Sequence, residues 1–270
     1  MSDISKWFFA VNEPSLTRDP ETWEAMILTA VESARQNTSL DPHLIFDGDE
    51  NNNSFFFQKL RSLGVKILTH RVSFFEELKS FSNGNEGLLQ ILSGAFLRVE
   101  IPLIEAEAEF ILYTDCDVMF EQNPKLTNLK PEYFSCAPEF DKENYSDFNT
   151  GVMIMNLPRL RHELPAFIEF IRHNLARLHT FDQDAYRLYY GNKADQLPLE
   201  MNWKPYWGAS SLAEIVHFHG PKPLWARRLM ANPEDRTIID YHTIYHWNIS
   251  GYEYYLPKWL NTAAQAGVSI

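Results

Sequence analysis

The sequence holds little cysteine: Cys116 and Cys136 alone among 270 residues. Two such residues provide no disulfide framework and no zinc-finger spacing, and both read as small buried side chains. Cationic charge is also short. With 24 Lys and Arg against 36 Asp and Glu, the formal net charge is −12. That argues against a nucleic-acid binder, whose affinity comes from cations that neutralise phosphates. A negatively charged small substrate remains open, because a metal ion supplies local positive charge. No apolar run approaches the ~20 residues of a membrane span. The opening residues, Met1 to Trp7, lack the basic stretch and apolar core of a secretion signal. No internal repeat or low-complexity segment is visible, and no linker cuts the chain. A soluble, cytoplasmic, single-domain protein over 1–270 is the expectation.

What is present is an ordinary globular mixture, 45% hydrophobic and 22% charged, with ample material for a core. Strands are expected at Lys6–Val11, His43–Phe46, Val65–Leu68, Phe110–Tyr113, Tyr133–Ala137, Val152–Met155 and Glu214–His219. Asn12–Arg18 reads as a polar loop. Asp19 caps a helix with Pro20 at its first position, and Trp23, Met26, Ile27, Ala30, Val31 and Ala34 follow at helical spacing. Further helices are expected over Phe55–Leu63, along the stripe Leu88 to Val99, along the longer stripe Leu160 to Leu178, and over Gln183–Tyr190. Glu139–Asp147 reads as a mobile acidic loop. Trp203, Trp207, Trp225, Trp247 and Trp259 make an aromatic tail, read as core packing more than as sugar-stacking surface. Arg227-Arg228, followed by an aromatic C-terminal segment, is compatible with peripheral contact to an anionic membrane, and the net charge of −12 argues against it. Strands alternating with helices predict an α/β fold with a mostly parallel central sheet flanked by helices. Ligands of such sheets bind beyond the carboxyl ends of the strands.

Four constellations carry chemistry. The apolar run Phe110–Tyr113 ends in Asp115-Cys116-Asp117. Residues i and i+2 fall on one side of an extended chain. Two same-side carboxylates ending a buried strand suit a hard divalent cation shared with substrate phosphates. The same run also resembles haloacid-dehalogenase phosphatases, with Asp115 as nucleophile and Asp117 as acid. That motif normally opens its fold, whereas more than a hundred residues precede it here. The second constellation is Phe148-Asn149-Thr150-Gly151-Val152, read as a polar turn feeding a core strand. Gly151 allows close backbone approach, and the Asn149 amide suits sugar hydroxyls. The third is Asp182-Gln183-Asp184 at a helix start, where Asp182 alone would be an N-cap. The fourth is His217-Phe218-His219-Gly220-Pro221-Lys222-Pro223-Leu224-Trp225. His217 and His219 share a side of an extended segment, imidazole ligates Mn²⁺-class metals, and Lys222 meets phosphate as a point charge.

In order and spacing the four resemble glycosyltransferase family 8, which includes glycogenin and bacterial lipopolysaccharide galactosyl- and glucosyltransferases. The resemblance covers most of residues 6–225. It implies a GT-A, Rossmann-like fold, with residues 1–120 as a nucleotide-binding half ending in DxD and 121–270 as a sugar- and acceptor-binding half. It implies Mn²⁺ (or Mg²⁺) dependence and a nucleotide-sugar donor, most often UDP-linked. It also implies a carbohydrate, glycolipid or protein acceptor, and transfer of a hexose with retention. Asp115, Asp117 and His217 would match the metal ligands, with His219 as the alternative to His217. Ala10, Val11 and Asn12 would line the nucleotide. Asp115, Gly151, Gly220 and Lys222 would meet the donor, Lys222 at its diphosphate. Asn149 and Arg98 would lie near the donor sugar, and Asp182, Gln183 and Asp184 would supply the catalytic position. The last motif departs from the family by its shortened Gly-Pro-Lys-Pro. Outside this class, a non-catalytic nucleotide-sugar binding module stays in view.

Overall fold

The structure, a computed structural model, describes residues 4–237 and 239–269. Its elements in chain order begin with β1 (Lys6–Asn12), α1 (Glu13–Arg18), α2 (Pro20–Asn37), β2 (Asp41–Asp47), α3 (Ser54–Ser62), β3 (Lys66–Thr69), α4 (Phe75–Ser82), α5 (Glu86–Ala95) and α6 (Ile101–Ile104). There follow β4 (Phe110–Thr114), β5 (Val118–Phe120), β6 (Phe134–Pro138), β7 (Phe148–Asn156), α7 (Leu157–Asn174), α8 (Asp182–Tyr190) and β8 (Ala194–Gln196). The last are β9 (Ile215–His217), α9 (Pro223–Ala231), α10 (Ile239–Trp247) and α11 (Ile249–Gln265). They form two compact units, each assembled from three separate stretches. The first takes the chain up to Arg18, Asp41–Thr114 and Leu126–Leu197; the second takes Asp19–Leu40, Asp115–Lys125 and the chain from Pro198 onward.

The first unit is built on a seven-stranded sheet of order β3-β2-β1-β4-β7-β6-β8. Pairs β2–β3, β1–β2, β1–β4 and β6–β8 are parallel, whereas β4–β7 and β6–β7 are antiparallel. The sheet is therefore mostly parallel, as expected. Helices cover it, which explains its near-continuous apolar strands: all five residues of β4 are buried. The Trp7 indole in β1 donates to Thr114 Oγ1 of β4 at 2.8 Å. Phe57 of α3 packs on Phe46 of β2, ring centroids 4.6 Å apart. Leu160, Leu164, Phe167, Ile168 and Ile171 form the buried face of α7, the stripe seen in the sequence.

The second unit packs α2 and α11 around a two-stranded antiparallel ribbon of β5 and β9, in which Val118 faces His217 and Phe120 faces Ile215. Asp19 caps α2 by accepting from Thr22 N at 3.2 Å. Phe218, Tyr252, Tyr255, Leu256 and Trp259 are fully buried in this core. Most of the aromatic tail is thus packing material, while Trp247 stays 52% exposed.

Several expectations need correction. Glu13–Arg18 is helical rather than loop, because the Asn12 side-chain oxygen Oδ1 accepts from Ser15 N and Oγ and folds the chain over. Phe148-Asn149-Thr150-Gly151 is not a turn but the first part of β7, paired with β6 across a register shift at Cys136/Ala137. The strand expected through His219 stops at His217. The acidic segment 139–147 is tied at its ends, Glu139 N donating to Asp147 O at 2.8 Å. Glu86–Ile104 is one helical stretch of 19 residues with mean hydropathy 1.5, long and apolar enough to cross a membrane. Half of it is buried, and Leu92, Phe96, Leu97, Val99 and Ile101 join the core of the first unit.

Candidate metal and donor-binding residues

In the second unit, the chain between β4 and β5 brings Asp115 and Asp117 beside the last residue of β9. The ligand atoms of Asp115, Asp117 and His217 all lie within 4.8 Å of one another. His217 Nε2 stands 3.3 Å from Asp117 Oδ1 and 3.8 Å from Asp115 Oδ2. His217 Nδ1 lies 3.0 Å from Asn202 Oδ1. An amide oxygen only accepts, so Nδ1 carries a hydrogen, and Nε2 is the ring nitrogen that faces the carboxylates and would be left to meet a cation. Backbone bonds hold the set: His217 N donates to Trp203 O at 2.8 Å, and Phe218 N to Asp117 O at 2.9 Å.

Lys222 pairs with the other oxygen of Asp117. Burial alone would raise the Asp117 carboxyl; the Lys222 and His217 charges outweigh it and hold the group well below the usual carboxylate range. Burial would likewise lower Lys222, and Asp117 instead keeps its ammonium above the ordinary lysine value. Two carboxylates and one oriented imidazole form an oxygen–oxygen–nitrogen set that suits a Mn²⁺-class ion, and a hydrogen-bonded ligand histidine is usual in such centres.

A second cluster lies in the first unit. Gln183 Oε1 accepts from Asn149 Nδ2 at 3.1 Å and from Thr150 N at 3.0 Å, while its amide nitrogen donates to Glu139. Asp182 accepts from Thr150 Oγ1 at 3.2 Å and pairs with Arg98 Nε at 3.1 Å. Arg98 also donates to Thr150 O at 2.7 Å and lies over the Tyr113 ring, 4.7 Å from its centroid. It is a buried cation on this network. Arg187 joins by pairing with Glu139 and Asp147. Phe181, just before Asp182, has φ 54°. A bulky residue in that region is strained, and such strain gathers where a site is held in a fixed shape.

Not every expected residue joins a cluster. Asp184 turns back to accept from Thr180 N at 2.9 Å and lies 3.9 Å from Arg187, which is work at a helix start. The Asn12 amide nitrogen donates to Gln90 O at 2.7 Å and Ser93 Oγ at 3.0 Å, and its oxygen holds Ser15. Its side chain thus ties β1 to α1 and α5. Ala10 and Val11 precede it on β1, Ala10 partly exposed and Val11 buried. A cavity of about 520 Å³ in the first unit is lined by Glu13, Arg18, Asp47, Arg71, Phe75 and Gln90, among others, and not by Ala10, Val11 or Asn12. Among the described residues the converging triad contains His217 and not His219. His219 Nδ1 instead lies 3.1 Å from Tyr206 Oη. Gly151 N bonds to Asn149 Oδ1 at 3.0 Å and fixes that amide. Gly220 has φ +98°, and a Cβ there would meet Ile244 Cγ2 at 2.9 Å. Sequence reasoning missed Asn202, Glu139, Thr150 and Arg187. Thr150 stood inside the second constellation without a role of its own, and Glu139 opened the acidic 139–147 segment.

No protein-family model matches the sequence, and no curated protein matches it. Solved structures do. GlyE, a glycosyltransferase of Streptococcus pneumoniae TIGR4, aligns over 97% of this chain and 64% of its own, with TM-score 0.61 and 16% identity. The galactosyltransferase LgtC, in complex with donor and acceptor sugar analogues, aligns over 96% of this chain and 95% of its own, with TM-score 0.61 and 17% identity. The fold is that of these glycosyltransferases. Mouse xyloside xylosyltransferase 1 aligns over 81% of this chain and 98% of its own, with TM-score 0.58 and 17% identity. The expected GT-A architecture, a mostly parallel seven-stranded sheet flanked by helices, is present. The chain spans about two thirds of GlyE, 64% of its length.

Proposed function

We propose that this protein is a metal-dependent, retaining glycosyltransferase that moves a hexose from a nucleotide sugar, a UDP-sugar, to a carbohydrate, glycolipid or protein acceptor. The observation that carries the reading is the convergence of Asp115, Asp117 and His217 within 4.8 Å, in a chain with a glycosyltransferase fold. The LgtC complex with donor and acceptor analogues supports nucleotide-sugar and carbohydrate partners.

In this reading Asp115, Asp117 and His217 hold Mn²⁺ or Mg²⁺. A bound cation supplies positive charge against the charge that develops on the leaving diphosphate. Lys222 adds a cationic contact to that diphosphate, released from Asp117 when the donor arrives. Ala10, Val11 and Asn12 meet the nucleotide through their backbone, since the Asn12 amide is already saturated. Asn149, Gly151, Gly220 and Arg98 serve the donor. Asp182 and Gln183 act on the sugar, and Asp184 supports them from the helix start. Gln183 is a poor nucleophile, and hydrogen bonds hold both ends of its amide. It therefore orients the sugar and stabilises its developing positive charge. Retention then follows from front-face attack by the acceptor. A covalent glycosyl adduct trapped on Asp182, Gln183 or Asp184 would overturn that route. A cytoplasmic location belongs to the proposal and rests on the sequence alone.

The phosphatase reading is not favoured, since the solved structures of this fold are glycosyltransferases. The deciding experiment is a nucleotide-sugar screen by donor hydrolysis and thermal shift, with Mn²⁺ and with chelator. Mn²⁺-dependent stabilisation and slow hydrolysis of a UDP-sugar are expected, and Asp117→Asn should abolish most of both. Full binding in chelator would refute the metal assignment. Binding without turnover for any acceptor or water would point to a binding module.

A further inference from the structure

Helix α10 carries His242 and His246, one turn apart. Residues four apart on a helix share a face. Their Nε2 atoms lie 3.0 Å apart, with ring centroids separated by 4.3 Å. The carbonyl oxygen of Pro233, in the turn after α9, lies 3.0 Å from the same His246 Nε2. His242 is half-buried and His246 is exposed.

Proton counting leaves this triangle incomplete. A neutral imidazole carries one N–H, and its other nitrogen is an acceptor. If His242 donates to His246 Nε2, the Pro233 oxygen faces that same nitrogen with no hydrogen between them. If His246 Nε2 donates to Pro233 O, no lone pair remains in its ring plane for His242, so the two nitrogens share one hydrogen at best. No single placement gives all three atoms a full hydrogen bond. A cation does, because all three offer lone pairs. Metal–imidazole bonds run about 2.0–2.1 Å for Zn²⁺, so nitrogens 3.0 Å apart fit two adjacent positions around one ion.

We propose that His242 and His246 form a second, surface site for a borderline transition-metal cation such as Zn²⁺, Ni²⁺ or Cu²⁺, with the Pro233 carbonyl as an additional donor. Imidazole nitrogen favours these ions over Mg²⁺ or Ca²⁺, so the site differs in preference from the carboxylate-rich set at Asp115 and Asp117. Water completes the coordination on the exposed side. The neighbouring carboxylate of Asp235 is engaged by Arg228 and Thr237 and stays outside the ligand set. A bound ion would fasten α10 to the turn at Pro233.

The test is Cu²⁺ binding to the full chain, read by electron paramagnetic resonance and titration, in an Asp117→Asn background that disables the other set. One Cu²⁺ with hyperfine coupling to two imidazole nitrogens is expected, displaced by excess Zn²⁺. His242→Ala and His246→Ala should each weaken binding by more than roughly tenfold and leave one coupled nitrogen. His246 is exposed, so its substitution leaves the fold intact, and far-ultraviolet circular dichroism verifies this for both variants. A two-nitrogen signal that survives the double substitution, or equal affinity in all variants, overturns the proposal.

Discussion

His217 gives its two ring nitrogens opposite tasks, one to Asn202 and one to the carboxylates, and Asn202 thereby decides where the lone pair points. Asn202 is fully buried, and its replacement by Ala would leave the Nδ1 hydrogen without its partner. Mn²⁺ affinity of Asn202→Ala should fall roughly 10–100-fold, as for other outer partners of ligand histidines; calorimetric titration reads this directly. Lys222 makes a sharper case, because in the absence of donor its ammonium neutralises Asp117 and so competes with any cation. Lys222→Met should bind bare Mn²⁺ more tightly than the parent while binding a UDP-sugar more weakly. Parallel loss of both would mean that Lys222 holds the ligand geometry and does not compete.

At the scale of elements, close approach matters more than pattern. Gly251, in the first turn of α11, lies so near the Pro205 turn that an added Cβ would sit 1.8 Å from Pro205 O. Gly251→Ala should cost at least about 2 kcal/mol, since overpacking against backbone has little room to relax; thermal melting measures it. Nothing in the residues around Gly251 announces that contact. By contrast, the strands at Lys6, His43 and Phe110 and the helix capped by Asp19 were legible, because apolar runs and capping chemistry are local signals. The carboxylate pair and His217 were legible through spacing and family resemblance. Asn202 was not, since its partner lies 15 residues away across a turn with no periodicity. The start of β7 was misread because Asn149, Thr150 and Gly151 look like turn residues. They are buried with their polar groups satisfied, Asn149 and Thr150 by Gln183 and Asp182, and the Gly151 N–H by Asn149 Oδ1. The reach of His219 failed for a similar reason: alternation suggested a longer strand, but the β5 partner ends opposite His217.

For the molecule as a whole, acid is the expected weak point. Burial would raise the carboxyl of Glu100, yet His70 and Ser73 outweigh it and hold the group below its ordinary value. Lys6 does the same for Glu105, and Lys222 and His217 for Asp117. The unfolded chain therefore takes up protons before the folded one, and this stabilisation is present above roughly pH 4.3 and lost as pH falls through and below it. Asp47 runs the other way, its carboxyl raised by burial despite Arg71, and offsets part of the loss. Melting temperature should thus decline from about pH 5 downward, and Glu100→Gln should flatten that decline; an unchanged slope would remove Glu100 from the account. The interleaving of the two units has a consequence for synthesis. Asp115 leaves the ribosome a hundred residues ahead of His217, and the ribbon that unites them needs β9. The sheet strands through β8 can all be made while the candidate metal triad still lacks its imidazole. A nascent chain interrupted between Gln196 and Ile215 would therefore own every strand of the seven-stranded sheet and no complete triad, so such products should be inert toward Mn²⁺ and a UDP-sugar rather than partly active.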